Sequence, residues 1–284
     1  MKSDYYNIID FTQACSYIES DPYRAKYLLE EYYRKYPKDY SARPRYAYVL
    51  IILNKLEEAK EYMRQLEQEI DENYDYLIRY NKYKYVENSM HLSYIRILAR
   101  EKNYQELYHC LQRYPYLIDD SRVSFVCRYQ MGIPISYEQR NGYMHRQIID
   151  YQEEAFLEHI EKHTADYNMD LDNPNPCIFV PDFPLKSVVS EVKKYIPSDN
   201  KLCFGFFEDT YVFQYDGCGR DHNKLVDYFK VIAFNEEDPR LITMCPSTGC
   251  EPYPSVDLNY MIEKEKPKVK TLSQIEKFNQ RYHR

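Results

Sequence analysis

The densest group of residues suited to chemistry is the stretch DGCGRDHNK, residues 216–224. His222 can exchange a proton near neutral pH, while Arg220 and Lys224 can face a phosphate. Cleavage of RNA without a metal needs a base for the 2′-hydroxyl, an acid for the leaving oxygen and cations at the phosphate. A hydroxyl further along the chain can help to bind that phosphate. Four residues are therefore the candidate catalytic group of a metal-independent ribonuclease: His222, Arg220, Lys224 and Thr243.

The same stretch has an interpretation that involves no catalysis. Asp221 can pair with Arg220 or Lys224, and Gly217 suits a tight turn between two strands. Carboxylates at positions 216, 221 and 227 would also repel a phosphate backbone. The sequence supports both interpretations, a catalytic loop and a plain hairpin connection.

Motifs for metals and cofactors are not found in the sequence. There is no P-loop, no G-x-G-x-x-G and no H-E-x-x-H. A histidine and three cysteines can be imagined as a zinc set, but their spacing is unusual for zinc: His222, Cys218, Cys245 and Cys250. We therefore expect no metal and no cofactor.

The chain has eight cysteines without a C-x-x-C pair, which predicts reduced thiols and a cytoplasmic protein.

The elements that would position the loop are indicated by a change of periodicity after residue 176. Valines at helical spacing in 185–196 predict one amphipathic helix, and 272–282 predicts a last helix. Turn residues at 216–219 and 235–239 separate the last three strands. The order predicts a small α+β domain with a mostly antiparallel sheet. Its strands are the stretches rich in β-branched and aromatic residues, at 177–180, 201–207, 210–215, 224–234 and 240–246.

This strand-rich part is similar to small bacterial toxin ribonucleases of the barnase and RelE kind. The similarity lies in a compact sheet, a basic loop and a strand that ends in Thr243-Met244-Cys245-Pro246. The resemblance implies RNA as a binding partner of the C-terminal domain and a role in toxin–antitoxin or defence systems.

The first part of the chain is organised around two alanines, Ala25 and Ala59, which lie 34 residues apart. Each opens a helix in which large apolar residues follow, and Pro37 closes the first unit. A period of this length with small residues at helix crossings is typical of stacked helix pairs. The pattern resembles the tetratricopeptide repeat family. That resemblance implies an all-α helical-repeat solenoid that binds a protein or peptide partner.

The repeat continues less regularly after the second unit. Leu107 takes the place of the small alanine in a third unit that Pro115 closes. Two further helices, around 122–131 and 143–163, are expected to cap the solenoid. The stretch DLDNPNP contains prolines through which no helix runs. We therefore predict a helical-repeat scaffold at 1–169, a linker at 170–176 and an α+β domain at 177–284.

Charge and hydropathy restrict the class of protein. The formal net charge of −7 argues against a general binder of nucleic acids or anionic membranes. The longest apolar run, residues 46–53, is too short to cross a bilayer, so no membrane association is expected.

The tail at 264–284 is basic, with seven Lys and Arg against two Glu. It either neutralises the acidic domain body or contacts a polyanion.

Two functions are therefore predicted for the chain. The first is an intracellular interaction scaffold, whose repeat domain binds a partner and whose α+β domain carries an output that the sequence does not identify. The alternative is a metal-independent ribonuclease, a toxin or defence effector, regulated through the repeat domain. The sequence leaves open whether the protein is an enzyme.

Overall fold

The computed structural model describes residues 10–80, 82–117, 121–134, 153–165, 176–181, 183–196, 198–222, 224–236 and 240–262. The chain forms two compact units, Met1–Ile149 with Cys203–Phe207 and Asp150–Leu202 with Glu208–Arg284. The first is helical and the second contains a mostly antiparallel sheet, which confirms the predicted pairing of an α-helical part with an α+β part. The predicted linker, apart from Pro176, lies outside the described residues, and so do the predicted helix at 272–282 and the basic tail.

Helices follow one another through the first unit with short connections. Asp21 caps the helix that begins at Pro22, because its carboxylate accepts a hydrogen bond from the backbone N–H of Arg24 at 3.0 Å, and Pro22 fixes the first helical φ. After helical residues 10–16, the elements are α1 (Pro22–Lys35), a 3₁₀ turn (Tyr40–Ala42), α2 (Arg43–Ile52), α3 (Leu56–Glu72), α4 (Tyr74–Arg79), α5 (Tyr83–Arg100), α6 (Tyr104–Arg113) and α7 (Ser121–Gln130).

Helix α2 is the centre of the core of the helical unit. Its residues 49–52 are all buried, as expected for an apolar helix enclosed by others, and it packs against α1, α3 and α5. Ala47 of α2 and Ala59 of α3 are fully buried in one cluster with Leu50 and Leu66. The small alanine side chains let these helices approach closely, which is the role that the sequence pattern predicts for Ala59.

The segment Cys203–Phe207 belongs to the helical unit, although its apolar residues predict a strand. The backbone N–H of Cys203 donates to the carbonyl of Ile52 at 2.8 Å. The guanidinium of Arg96 donates to the carbonyl of Phe204 at 3.0 Å and lies 4.5 Å from the ring centroid of Phe206. The predicted strand at 201–207 is therefore wrong: only Leu202 forms a bridge, with Thr210. A buried apolar segment has the same composition whether it pairs in a sheet or packs on helices.

The described part of the second unit contains a five-stranded sheet. Strands β1 to β4 are neighbours in chain order and antiparallel, while β5 pairs in parallel with β2. The stretches at 177–180, 224–234 and 240–246 are confirmed as strands. The strands are β1 (Cys177–Phe179), β2 (Glu208–Asp221), β3 (Lys224–Phe234), β4 (Leu241–Pro246) and β5 (Ser255–Asp257).

Within the described residues, the helices that contribute to the core of the sheet unit are α8 (Glu153–Glu161) and α9 (Leu185–Tyr195). The valines of α9 are buried against the sheet, so the helix predicted at 185–196 is confirmed. Helix α8 was expected to cap the solenoid. It instead contributes Phe156 and Ile160 to the core around Phe179, because those apolar side chains pack on the sheet unit. The rest of that predicted capping segment, 143–152, lies outside the described residues.

Residues 216–219 do not form the turn that Asp216 and the two glycines predict. Strand β2 runs through them to Asp221, and its pairing with β3 shifts register between Gln214 and Gly219. Such a shift is a β-bulge, which uses the positive φ of Gly217 (+64°) as a turn would. The backbone N–H of Gly217 donates to Asp227 Oδ1 at 2.6 Å, which holds the bulge. The chain reverses only after Asp221.

The crossing of α2 and α3 leads to the first prediction. Ala59→Leu is expected to destabilise the helical unit by about 1–3 kcal/mol, because an overpacked core forces side chains from their preferred rotamers. Urea denaturation followed by circular dichroism of the helices measures the loss. The control is Gln65→Leu, which adds the same side chain on the exposed face of α3 and is expected to cost less than about 0.5 kcal/mol. Equal stability of the two variants would show that the helices do not cross at Ala59.

Candidate functional sites

The reversal between β2 and β3 holds His222, the centre of the predicted catalytic group. Asp221 and Lys224 form the last pair of the hairpin, and His222 follows Asp221 with a left-handed φ of +55°. Its backbone N–H donates to the carbonyl of Pro176 at 2.6 Å. The side chain is 77% exposed, so the imidazole faces solvent at the tip of the hairpin.

The other predicted residues lie in different environments. Lys224 is exposed on the same hairpin as His222. Arg220 is only 5% exposed, in a run of buried residues that begins at Cys218, so it does not present its charge to a solvent-borne phosphate. Thr243 lies on β4, half-buried, with its Oγ1 3.3 Å from Nε2 of His159. The structure brings His222 and Lys224 to one turn and places Thr243 beside a different histidine.

The carboxylate of Asp221 is the centre of the hydrogen bonds around His222. Its Oδ1 accepts from His222 Nδ1 at 2.8 Å and from the thiol of Cys177 at 3.1 Å. Its Oδ2 accepts from the backbone N–H and the hydroxyl of Thr248, at 2.8 and 2.7 Å. Burial alone would raise the pKa of Asp221, but the bonds from Thr248, Cys177 and His222 outweigh burial and hold that pKa well below its usual range.

Cys177 takes part in this group because of strand pairing. It lies directly opposite Asp221 in the β1–β2 ladder, where facing side chains are neighbours. Burial, followed by the hydrogen bond to Asp221 and the negative charge of that carboxylate, raises the pKa of Cys177 to about 12, so the free thiol is protonated at neutral pH. Within the described residues, the group Cys177, Asp221 and His222 is where three metal-ligating atoms approach within 4.8 Å of one another.

A second candidate site is a groove of about 510 Å³ within the helical unit. It lies between α3, α5 and α6. Its base is apolar, because Met63, Ile70 and Met90 are buried there. Its walls are acidic and aromatic. They carry four carboxylates, one guanidinium and three tyrosines, together with two histidines and a thiol: Glu67, Asp71, Glu87, Glu106, Arg113, Tyr83, Tyr94, Tyr114, His91, His109 and Cys110.

The ionisation of the groove residues shows its negative character. Burial and then the Glu106 carboxylate raise the pKa of Tyr94, so its hydroxyl is a neutral donor. His91 stacks on Tyr114, with ring centroids 4.1 Å apart. Burial lowers the pKa of His91, which keeps that imidazole uncharged at neutral pH. The carboxylates therefore dominate the charge of the groove.

Neither the groove nor the contacts of Asp221 are predictable from the sequence. Residues of the groove come from three helices and span positions 63–114, so no local motif joins them. Cys177 precedes Asp221 by 44 positions, and only the strand register makes them neighbours.

No protein-family model, curated protein or solved structure matches this chain. None of the helices in the described ranges combines the length and the apolar character that a bilayer crossing requires.

Proposed function

We propose that the helical unit is a binding module for a basic segment of a partner protein, which it holds in the groove between α3, α5 and α6. The observation that carries this proposal is the composition of the groove: carboxylates and tyrosines surround an apolar base. Lysine and arginine side chains match such a surface, because they carry a cationic head on an apolar stem. The stem packs on Met63 and Met90, and the head contacts the carboxylates.

Tyrosine rings add a second means of recognising a cation. A guanidinium or ammonium over a tyrosine face is stabilised by the ring quadrupole, by about 0.5–2 kcal/mol. The groove already contains such a contact, since the guanidinium of Arg113 lies 5.3 Å from the ring centroid of Tyr114. Tyr94 is 44% exposed and offers its ring to a ligand. A peptide cation therefore fits this surface better than an acidic or wholly apolar peptide.

The charge of the groove favours a protein partner over a nucleic acid. Phosphate-backbone binding depends on lysine and arginine that neutralise phosphates, whereas four carboxylates and one guanidinium line this groove. The formal net charge of −7 gives the same preference for the whole chain.

The proposal includes a tetratricopeptide-like architecture and a cytoplasmic setting. The fully buried Ala25 and Ala59, one period of 34 residues apart, support the repeat register. All eight cysteines are free, which agrees with a reducing compartment. In this proposal the helical unit recruits the partner, and the sheet unit carries the output.

Basic peptides and carboxylate variants test the proposal. Fluorescence anisotropy with a set of labelled Lys- and Arg-rich peptides, and with their Glu-substituted counterparts, is expected to select basic sequences. The double variant Glu67→Gln/Glu87→Gln should weaken binding at least about tenfold, a loss of about 1.4 kcal/mol, and should reduce its salt dependence. The matched control is Glu57→Gln/Glu61→Gln, which removes two exposed carboxylates of α3 that do not line the groove.

A second pair of variants examines the aromatic wall. Tyr94→Phe keeps the ring and is expected to bind as the wild type does, whereas Tyr94→Leu removes the π face and should weaken binding several-fold. Equal affinity for basic and acidic peptides would overturn the proposal. So would an unchanged affinity in the Glu67→Gln/Glu87→Gln variant.

A further inference from the structure

Three side chains at the tip of the β2–β3 hairpin carry the donor atoms that a zinc ion prefers. They are the thiol of Cys177 on β1, the carboxylate of Asp221 at the end of β2, and Nδ1 of His222. The three ligand atoms lie within 4.8 Å of one another. We propose that Cys177, Asp221 and His222 bind one zinc ion through Sγ, Oδ1 and Nδ1.

Two of the three distances between these atoms are near those of a tetrahedral zinc site, and the third, from sulfur to nitrogen, is below 4.8 Å. Zinc binds sulfur at about 2.3 Å and nitrogen or oxygen at about 2.0–2.2 Å, which separates neighbouring ligand atoms by about 3.3–3.6 Å. The corresponding separations here are 3.1 Å from sulfur to oxygen and 2.8 Å from nitrogen to oxygen. Both separations from Asp221 Oδ1 would lengthen by about half an ångström on zinc binding. The exposed His222 and the half-buried Cys177 are the side chains that would move.

Hydrogen bonds to one carboxylate oxygen join the three ligand groups. Asp221 Oδ1 accepts both the thiol proton and the imidazole Nδ1 proton, so three ligand atoms converge on the same space. On binding, zinc replaces the thiol proton, which leaves as H⁺. The imidazole proton moves from Nδ1 to Nε2, so the ring stays neutral. One Zn²⁺ is taken up and one proton is released.

Neighbouring groups hold the ligands in place. The backbone N–H and hydroxyl of Thr248 both donate to Asp221 Oδ2, which orients Oδ1 towards Cys177 and His222. The β1–β2 ladder places Cys177 directly opposite Asp221. The bond from the His222 N–H to the Pro176 carbonyl fixes the backbone of the third ligand. Such outer contacts are what metal sites use to orient their ligands.

The donor set selects the class of metal. A thiolate and an imidazole favour zinc or a similar borderline-soft ion over magnesium and calcium, which prefer oxygen ligands. Three protein ligands leave the fourth tetrahedral position to a solvent molecule, and the 77% exposure of His222 puts that position in reach of solvent. This is the arrangement of zinc sites that activate water. The inference concerns the sheet unit and is independent of peptide binding by the helical unit.

The full-length protein tests the site directly. After reduction and removal of metal by a chelator, it is titrated with ZnCl₂ against a chromogenic chelator and, separately, with CoCl₂ under anaerobic conditions. We expect one zinc ion per chain and a cobalt complex with a thiolate-to-cobalt charge-transfer band. Cys177→Ser should abolish that band, and its zinc affinity should fall more than about 100-fold, since loss of an outer contact alone costs about 10–100-fold.

Further variants distinguish loss of a ligand from loss of the fold. His222→Asn keeps a residue that tolerates the left-handed φ of +55°, so it should fold normally and still lose zinc affinity. Cys15→Ser removes a half-buried thiol of the helical unit and should bind zinc as the wild type does. Circular dichroism establishes that each variant is folded. A wild type that binds zinc no more tightly than Cys177→Ser, or a cobalt complex without the thiolate band, would overturn the assignment.

Discussion

Replacing Gly219 with alanine is expected to lower the free energy of unfolding of the sheet unit by more than about 3 kcal/mol, the upper end for overpacked positions. A Cβ at this position would lie against the carbonyl oxygen of Ile178, 2.5 Å from Cγ of Pro246 and 3.0 Å from Cα of Phe179. Two of these neighbours are backbone atoms of β1, which cannot move aside as a flexible side chain can. Strands β1 and β2 must therefore separate, although Gly219 and Phe179 form a pair in their ladder.

Hydrogen exchange of β2 and β3 peptides, followed by mass spectrometry, measures this loss within the sheet unit. The matched control is Gly217→Asn, two residues away in the same strand. A Cβ there meets nothing within 4 Å, and asparagine tolerates the φ of +64°, so we expect a cost below about 1 kcal/mol. Wild-type protection of the Gly219→Ala protein would show that β1 and β2 are not paired at this position.

The elements of the sheet unit also show how far the sequence predicts the fold. Strand β3 and helix α9 were predicted almost to the residue, because a stretch rich in β-branched and aromatic residues favours a strand and valines at helical spacing favour a helix. The DGCG stretch was predicted as a turn, because glycine serves turns and bulges alike. The chain instead reverses direction after Asp221, where His222 adopts a positive φ. The presence of a histidine does not by itself predict a turn at that position.

Tertiary contacts explain why two elements differ from the prediction. The apolar stretch at 201–207 is as suitable for a strand as for a segment packed on helices, and its contacts with Ile52 and Arg96 are distant in sequence. The apolar residues of helix α8 predict a buried face but not the element against which that face packs. In the structure, Phe156 is buried in the core of the sheet unit. Periodicity predicts which face of an element is buried and does not predict what buries it.

The candidate sites depend even more on long-range register. His222 was identified from its residue type and its glycine-flanked stretch, but Cys177 and Thr248 were not, since each reaches Asp221 only through the folded sheet. Arg220 was predicted to face a phosphate, but it is buried in strand β2 instead. In the groove, Glu67 and Glu106 belong to different helices, so their shared negative potential exists only after those helices pack.

The second large effect is expected at Phe229, the aromatic centre of the sheet core. Phe229 is fully buried and stacks on Phe213 of β2, with ring centroids 5.5 Å apart. It also makes edge contacts with Phe179 and Phe183, at 5.8 and 6.2 Å. Phe229→Ala removes all three contacts and leaves a cavity that the packed sheet cannot close. We therefore expect a loss of about 3–5 kcal/mol, again measured by hydrogen exchange of the sheet strands.

A control and a double variant make this prediction specific to the aromatic cluster. Leu225→Ala shortens a side chain on the same strand that is 59% exposed, and it should cost less than about 0.5 kcal/mol. Phe213→Ala/Phe229→Ala should cost less than the sum of the two single variants, because the stacked rings share one contact and the two cavities merge. If Phe229→Ala cost no more than Leu225→Ala, the four rings would not form the core of this unit. Strict additivity in the double variant would instead show that Phe213 and Phe229 stabilise the sheet independently, without the stacked contact.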